Sequence, residues 1–241
     1  MAKPSDFENH CWMDVFPEAT LRASAKYARE TTIGENPALL LVDLYNFVYD
    51  GGNRPLEEIQ DQFPGTCGQY AWDAIEPTKR LIAAARAADI PIIYLTRRVR
   101  TGLASTARGF PKARGALKAD AYDIWHDFSP QPGDTLIYKE RASGFYGTPM
   151  IAYLNKLRVR SLIMCGESTS GCLRNTIQDA FMNGYHVAIA EECAYDRNLL
   201  SHKVNLFDMH HKYADVMHTD EIVQTLEAMA TQRPAGAAAS G

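Results

Sequence analysis

The chain has 241 residues, of which 46% are hydrophobic and 22% charged, and its net charge at pH 7 is −4. This length suits one α/β domain and allows a substantial core without disulfides or structural metals. The net negative charge gives no general attraction to phosphate backbones or anionic membranes. The longest apolar run, 37–42, is too short to span a bilayer. We therefore expect neither nucleic acid nor a membrane as a partner.

The amino terminus and the cysteines bear on the cellular compartment. The first twelve residues contain no apolar segment of the kind that follows the basic start of a secretory signal. The five cysteines are an odd number and lack the CxxC or CxxH spacing of a zinc site. This pattern predicts reduced thiols and a cytoplasmic protein.

Apolar runs alternate with helical patterns along the chain. Continuous runs such as Pro-Ala-Leu-Leu-Leu-Val before Asp43 are typical of parallel strands buried on both faces. The predicted strands are 37–43, 90–96, 134–139, 161–166 and 185–190. The predicted helices are 19–29, 78–88, 148–157, 173–183, 203–213 and 221–229. The alternation predicts right-handed βαβ units, and hence a three-layer α/β/α doubly wound fold with a mainly parallel central sheet.

Segments outside this alternation divide the chain. Residues 1–36 are predicted to form an N-terminal arm that packs on the body or on a neighbouring subunit. Residues 37–231 form the predicted catalytic domain, and the low-complexity tail 232–241 is predicted to be disordered. The connection 97–132 has no clear periodicity, and a connection of that length is usually functional, as a lid or an interface.

Three polar residues are predicted at the carboxyl edge of the sheet, where doubly wound folds bind their ligands. Asp43 follows the first strand, Lys139 ends the third, and Cys172 lies in the turn after the fourth, just before a helix. Each residue alone is more often structural, as a capping acid, a solvated lysine or a small core thiol. Their convergence on one edge favours a catalytic set.

The chemistry of these three residues is complementary. A helix N-terminus and a nearby Lys139 ammonium predict a lowered pKa for the Cys172 thiol, and hence a thiolate nucleophile. Asp43 can accept the thiol proton and later deliver it to a leaving amine. Backbone N–H groups of the turn 166–172 are placed to stabilise a tetrahedral oxyanion.

Three motifs resemble those of the isochorismatase-like cysteine hydrolases, a family that includes N-carbamoylsarcosine and maleamate amidohydrolases. They are PALLLVD at 37–43, KERASGFYGT at 139–148 and GESTSGC at 166–172. The resemblance implies that Asp43 is the general acid/base, Lys139 the positioning cation and Cys172 the nucleophile. It also implies a cis peptide bond between Glu167 and Ser168, which directs the Ser168 N–H, with that of Cys172, into the oxyanion hole.

The same resemblance bears on metals and cofactors. Nicotinamidases of this family bind a metal through an Asp and two His, one of them after the second strand. Here that strand is followed by Thr96-Arg97-Arg98, and the seven histidines show no HxH spacing. We therefore expect no metal and no cofactor.

Two residues are candidates for substrate binding. Arg197 lies where the carbamoylsarcosine and maleamate branch of the family has an arginine that binds a substrate carboxylate, and a surface or interface arginine is the alternative. Phe145 is a candidate pocket wall, although aromatic residues of this kind are more often part of the core.

The sequence thus predicts an amidohydrolase that cleaves a small amide or N-carbamoyl C–N bond and releases ammonia through a thioester on Cys172. The expected substrate resembles N-carbamoylsarcosine or maleamate, and the alternative is a ureido or biuret-type substrate without a carboxylate. Vinyl-ether hydrolysis without a cysteine nucleophile and a non-catalytic binding role are less favoured. Beyond the small-molecule substrate, the resemblance implies further copies of the chain as partners, in a homo-oligomer that is a dimer or a tetramer.

Overall fold

Six strands form one sheet in the computed structural model, which describes residues 7–98 and 117–232. They are β1 Pro37–Val42, β2 Ile92–Thr96, β3 Thr135–Tyr138, β4 Ser161–Glu167, β5 His186–Tyr195 and β6 Asp215–Met217. They pair in the order β3-β2-β1-β4-β5-β6, and each pairing is parallel. This confirms the predicted fold class, with a sheet that is wholly parallel in the described residues.

Helices cover both faces of the sheet. Those of the described ranges are α1 Glu18–Ser24, α2 Leu56–Ile59, α3 Gln69–Asp73, α4 Ile75–Ala87, α5 Met150–Lys156, α6 Arg174–Met182, α7 Leu199–Lys212 and α8 Thr219–Gln232. Helices α4 and α8 share one apolar core with the sheet, and α5, α6 and α7 share a second core on the opposite face. None of these helices is long and apolar enough to cross a membrane.

The side chains of β1 alternate between the two cores. Leu39 and Leu41 belong to the core under α4 and α8, whereas Leu40 and Val42 belong to the opposite one. All four are fully buried. A strand with helices on both faces has no solvent-facing position, which explains its uninterrupted apolar sequence.

The order of the strands locates the crevice of the fold. Winding proceeds from β1 toward β3 on one side and from β4 toward β6 on the other, so its direction reverses between β1 and β4. Doubly wound sheets bind their ligands beyond the carboxyl ends of the strands at such a reversal. Asp43 leaves β1 and the turn Thr169–Leu173 follows β4 at this place.

The strands differ from prediction mainly at β5 and β6. The predicted fifth strand ended at residue 190, but β5 continues to Tyr195 through an irregular register. Two consecutive acids, Glu191 and Glu192, interrupt the apolar run, so the continuation carries no strand pattern. The strand β6 has only 3 residues, too few to show an apolar run of its own.

The described part of the arm contacts the body through α7. Trp12 is fully buried, with its ring 6.0 Å from that of Phe207. A carboxylate oxygen of Glu8 lies 2.8 Å from the Nε2 of His211. Contact of the arm with a neighbouring subunit stays a prediction. The predicted tail from 233 onward and residues 99–116 of the predicted lid or interface lie outside the described residues.

Gly166 allows β4 to approach β1 immediately below the crevice. Its φ is 110°, and a Cβ atom at this position would lie 2.0 Å from the carbonyl oxygen of Val42. Gly184 has a comparable φ of 84°, but a Cβ there would meet no atom within 4 Å. The two glycines share the backbone constraint and differ in the space around them.

We expect Gly166→Ala to destabilise the protein more than Gly184→Ala. The positive φ costs about 1–2 kcal/mol in either variant. The clash with the β1 backbone adds at least about 1–3 kcal/mol in Gly166→Ala, because backbone cannot rotate away as a side chain can. Urea unfolding of the two variants measures the difference. Equal losses would show that β4 and β1 can separate without cost.

Candidate active site

Asp43 occupies a strained and buried position directly after β1. Its φ is 56°, a left-handed conformation that side chains rarely adopt, and its side chain is fully buried. Its N–H donates to the carbonyl oxygen of Leu95 in β2, at 3.1 Å. Residues held in this conformation cluster at functional sites, where surrounding structure enforces them. The carboxylate is thereby fixed at the floor of the crevice.

Lys139 connects Asp43 to Cys172. It follows β3, and only 1% of its surface is exposed. Its Nζ lies 2.7 Å from Oδ2 of Asp43 and 3.3 Å from the Sγ of Cys172. Burial lowers the pKa of Lys139, but the interactions with Asp43, above all, and with Cys172 outweigh it and raise the pKa, so the ammonium is retained.

Cys172 lies in the wide turn Thr169–Leu173, immediately before α6. Its carbonyl oxygen accepts a hydrogen bond from Thr176 Oγ1 at 2.7 Å, and the same oxygen of Thr176 accepts from the N–H of Gly144 at 3.0 Å. Thr176 therefore joins the nucleophile turn to the segment that follows Lys139. The three predicted catalytic residues come together as a contiguous group.

The pKa of the Cys172 thiol differs from the sequence expectation. Burial, followed by the charge of Asp43, raises this pKa to about 12, and Lys139 offsets only part of the increase. The expectation of a lowered pKa was therefore wrong. The sulfur faces a carboxylate as well as an ammonium, and the ammonium is already paired with that carboxylate. At rest the thiol keeps its proton.

The turn between β4 and Cys172 contains a cis peptide bond, which joins Glu167 and Ser168. The Glu167 side chain points away from the turn into a buried polar group. Its Oε1 accepts from the hydroxyl of Tyr45 at 3.3 Å, and its Oε2 accepts from the thiol of Cys67 at 3.3 Å. Burial raises the pKa of Glu167 although the charge of Arg197 lowers it. Participation of the Ser168 N–H in an oxyanion hole stays a prediction.

The carboxyl end of β5 supports the same turn. Asp196 Oδ2 accepts from both the N–H and the hydroxyl of Ser170, at 2.8 and 2.7 Å. Thr169 Oγ1 donates to the carbonyl oxygen of Tyr195 at 3.1 Å. These bonds fix the backbone immediately before Cys172.

Arg197 lies beside the turn, but its guanidinium is engaged with the protein. Its Nε donates to the carbonyl oxygen of Thr66 at 3.0 Å and its Nη2 to that of Gly65 at 2.6 Å. The same Nη2 lies 3.7 Å from Oε2 of Glu167. These contacts favour a positioning role, in which Arg197 holds the 65–66 backbone against the turn. Binding of a substrate carboxylate by Arg197 stays a prediction.

Arg97 is a residue that the sequence reasoning overlooked. It follows β2, between the strands that end in Asp43 and Lys139, and it is partly buried. Burial lowers its pKa, but its interactions with Tyr45, Asp43 and Cys172 outweigh burial and raise it. The sequence contains the signal for this residue, because Arg97 directly follows a predicted strand. The segment Thr96-Arg97-Arg98 was considered only as a possible metal site.

The contacts of Phe145 are those of a core residue. Its ring is partly buried against the core under α5, α6 and α7, and lies 6.2 Å from the ring of Tyr185. Tyr185 precedes β5, at the edge of the sheet opposite to Asp43. A role for Phe145 as a pocket wall stays a prediction.

Comparison with known proteins agrees with this fold. The family model described as Isochorismatase domain matches residues 37–221. An N-carbamoylsarcosine amidase from Arthrobacter sp. is 32% identical over 212 residues, covering 84% of this chain and 76% of the relative. A maleamate amidohydrolase from Pseudomonas putida is 35% identical over 102 residues, 42% of this chain and 48% of the relative. The structure of a cysteine hydrolase from Pseudomonas syringae pv. phaseolicola superimposes with a TM-score of 0.69 at 20% identity, covering 83% of this chain and 97% of that one.

The chain belongs to the isochorismatase family, and it is a hydrolase. The resemblance inferred from the three sequence motifs is confirmed. The predicted class of enzyme, a hydrolase of C–N bonds outside peptides, is confirmed by the amidohydrolases among the relatives.

The raised thiol pKa can be tested by alkylation. We expect the rate of Cys172 labelling by iodoacetamide to rise about tenfold per pH unit from about pH 7 to about pH 10 without a plateau, because only the thiolate reacts. Asp43→Asn removes a negative charge that raises the Cys172 pKa, so labelling near neutral pH should become faster although turnover is lost. Mass spectrometry of the Cys172 peptide measures both rates.

Cys11 is the matched control for this experiment. Burial and the nearby Glu191 raise its pKa, so Asp43→Asn should leave its labelling unchanged. A plateau for wild-type Cys172 near pH 7 would show that the resting nucleophile is a thiolate. Slower labelling in the variant would show that Asp43 assists the reaction as a base more than its charge raises the thiol pKa.

Proposed function

We propose that this protein hydrolyses an amide or N-carbamoyl C–N bond of a small substrate, with release of ammonia, through a thioester on Cys172. The observation that supports this most is the buried group in which one ammonium contacts both a carboxylate and a thiol, at 2.7 and 3.3 Å. Such a group provides a nucleophile, a proton acceptor and a fixed positive charge in one water-poor crevice.

The proposed reaction has two halves. In the first, Asp43 accepts the Cys172 proton as the sulfur attacks the carbonyl carbon, and it then protonates the departing nitrogen so that ammonia leaves. In the second, Asp43 accepts a proton from water, which attacks the thioester and releases the acid and the thiol. Lys139 stays charged throughout and holds Asp43 against the sulfur. The N–H groups of Ser168 and Cys172 are the proposed donors to the oxyanion of both tetrahedral intermediates.

The resting thiol fits this scheme. A thiol with a pKa of about 12 holds a proton at neutral pH, and Asp43 can take that proton at the moment of attack. Proton transfer coupled to attack avoids the accumulation of a buried thiolate next to a carboxylate, an arrangement that repulsion makes costly.

We further propose that the substrate carries a carboxylate. Two arginines beside the crevice support this, because a guanidinium can hold a carboxylate by two hydrogen bonds. Arg97 is favoured for the role, because it follows β2, which lies between the strands that precede Asp43 and Lys139. The electrostatic effects of Asp43 and Cys172 on the pKa of Arg97 also indicate that it lies near both of them. Arg197 was the residue expected from the sequence, and its contacts with the 65–66 carbonyls compete with that use. A neutral ureido or biuret-type substrate is the alternative if neither arginine recognises an anion.

We expect Cys172→Ser to reduce kcat at least about 1000-fold, because a hydroxyl is a much weaker nucleophile at the same position. A coupled ammonia assay over N-carbamoyl amino acids, maleamate, ureas and simple amides measures the activity. Cys11→Ser serves as the control and should retain activity. Intact-protein mass spectrometry of rapidly quenched wild type should show the acyl adduct. Ammonia release that survives in Cys172→Ser would refute a thioester mechanism.

The roles of Arg97 and Arg197 can be distinguished with a matched pair of substrates. N-carbamoylglycine carries a carboxylate, whereas propylurea has nearly the same shape without one. We expect Arg97→Gln to lower kcat/KM for N-carbamoylglycine about 30-fold or more and to spare propylurea, since a desolvated charged contact contributes roughly 2–5 kcal/mol.

Arg197→Gln should instead lower kcat/KM for both substrates alike, because it releases backbone that positions the turn. If Arg197→Gln lowers kcat/KM for N-carbamoylglycine alone, Arg197 rather than Arg97 binds the substrate carboxylate. A wild type that prefers propylurea, with neither variant selective, would favour the ureido alternative.

A further inference from the structure

A cluster of metal-ligating side chains lies outside the candidate active site. His10 of the arm, Glu191 of β5 and His218, which follows β6, place one ligand atom each within 4.8 Å of one another. The Nδ1 of His10 lies 2.5 Å from Oε2 of Glu191, and the Nδ1 of His218 lies 3.5 Å from the same oxygen. Three potential ligand atoms therefore converge on one point.

Glu192 lies beside this group and contacts one of its members, His218. Its Oε1 lies 2.8 Å from the Nδ1 of His218. Consecutive residues of a regular strand point to opposite faces, so two adjacent glutamates would not normally meet one histidine. The register of β5 shifts at this place, because Met164 pairs with Ile189 whereas Gly166 pairs with Ala194. The extra residues of β5 let both carboxylates face His218.

Backbone groups hold the outer atoms of three of these side chains. The bonds are Cys11 N–H to Oε1 of Glu191 at 2.6 Å, Thr219 N–H to Oε2 of Glu192 at 2.7 Å, and His218 Nε2–H to the carbonyl oxygen of Asn9 at 2.8 Å. With Nε2 held by this donation, Nδ1 is the nitrogen that faces the carboxylates, and a metal ion would replace the proton that Nδ1 now donates to Oε1 of Glu192. Outer hydrogen bonds of this kind orient the ligands of metal sites.

We propose that His10, Glu191 and His218 bind one divalent transition-metal ion, for which Zn²⁺ is the best match. Two imidazole nitrogens and carboxylate oxygens are a ligand set that zinc accepts at about 2.0–2.2 Å. The ligands come from the arm, from β5 and from the residue between β6 and α8. The ion would thus join the arm to the sheet, and this role does not depend on the proposed hydrolysis.

A cavity adjoins the Glu191 side of this cluster. It has a volume of about 380 Å³ and is lined by Glu191 and Glu192 together with Asp73 and Asp196. Acidic walls raise the local concentration of cations. The expectation that no metal binds was based on the residues after β2 and on the lack of HxH spacing among the seven histidines. Ligands as far apart in the sequence as 10, 191 and 218 leave no spacing motif.

Zinc binding by the full-length protein tests the proposal. Chelator-treated protein should retain one equivalent of zinc per chain after dialysis against buffered zinc, as measured by elemental mass spectrometry. Its Tm should rise by roughly 5–10 °C at free zinc of about 100 times Kd. His10→Gln and His218→Gln should each weaken zinc binding by more than the roughly 10- to 100-fold that changes in outer hydrogen bonds cause.

His186→Gln is the matched control. His186 also pairs with a carboxylate, its Nε2 lying 3.3 Å from Asp215 Oδ2, but it belongs to no such cluster in the described residues. This variant and Cys172→Ala should bind zinc as the wild type does. Binding well below one equivalent by wild type, or equal binding by His218→Gln and His186→Gln, overturns the proposal.

If a variant does not fold, the visible spectrum of the Co²⁺-substituted wild type still tests the proposal. Co²⁺ substitution should give the visible bands of nitrogen and oxygen ligation. A sulfur-to-cobalt charge-transfer band would place the metal on a cysteine and overturn the assignment.

Discussion

The buried ion pair between Lys139 and Asp43 is the constraint around which the sheet edge is arranged. The two residues end β3 and β1, which are separated by β2, so about 9–10 Å of sheet lies between their strands. Only a long side chain spans that gap, and the Lys139 ammonium does so with essentially no exposed surface. Removal of one partner from a buried pair costs about 3–5 kcal/mol, because the other charge is left uncompensated. The Lys139–Asp43 pair forms without Cys172, whose sulfur then packs against it.

The relative size of the electrostatic effects explains why the thiol keeps its proton. A helix N-terminus stabilises a nearby anion by about 0.3–1 kcal/mol, which is less than one pKa unit. Burial and Asp43 act in the opposite direction and raise the pKa of Cys172 to about 12. The positive charge of Lys139 is shared with Asp43, so it cannot reverse this. The site is therefore suited to moving a proton during attack rather than to storing a thiolate.

Sequence patterns predicted those features that depend on one continuous segment. The apolar run of β1 predicted both the strand and the placement of Asp43, and the turn before α6 placed Cys172 at the same edge. The direction in which the Cys172 pKa shifts could not be predicted in this way, because it depends first on burial within the whole fold and then on a carboxylate 129 residues away in the chain (172 − 43). Arg97 was missed for a different reason: an arginine after a strand is common, and its charge matters only beside this crevice.

The irregular register of β5 affects both the cluster around Glu191 and the turn before Cys172. Its extra residues bring Glu191 against the arm and Glu192 against His218. Its continuation brings Asp196 under the nucleophile turn, where it accepts both Ser170 hydrogen bonds. A regular strand would reach the edge several residues earlier in the sequence and would leave Ser170 without this acceptor. The acidic interruption that hid the second half of β5 from sequence reasoning is thus the feature that positions the backbone before Cys172.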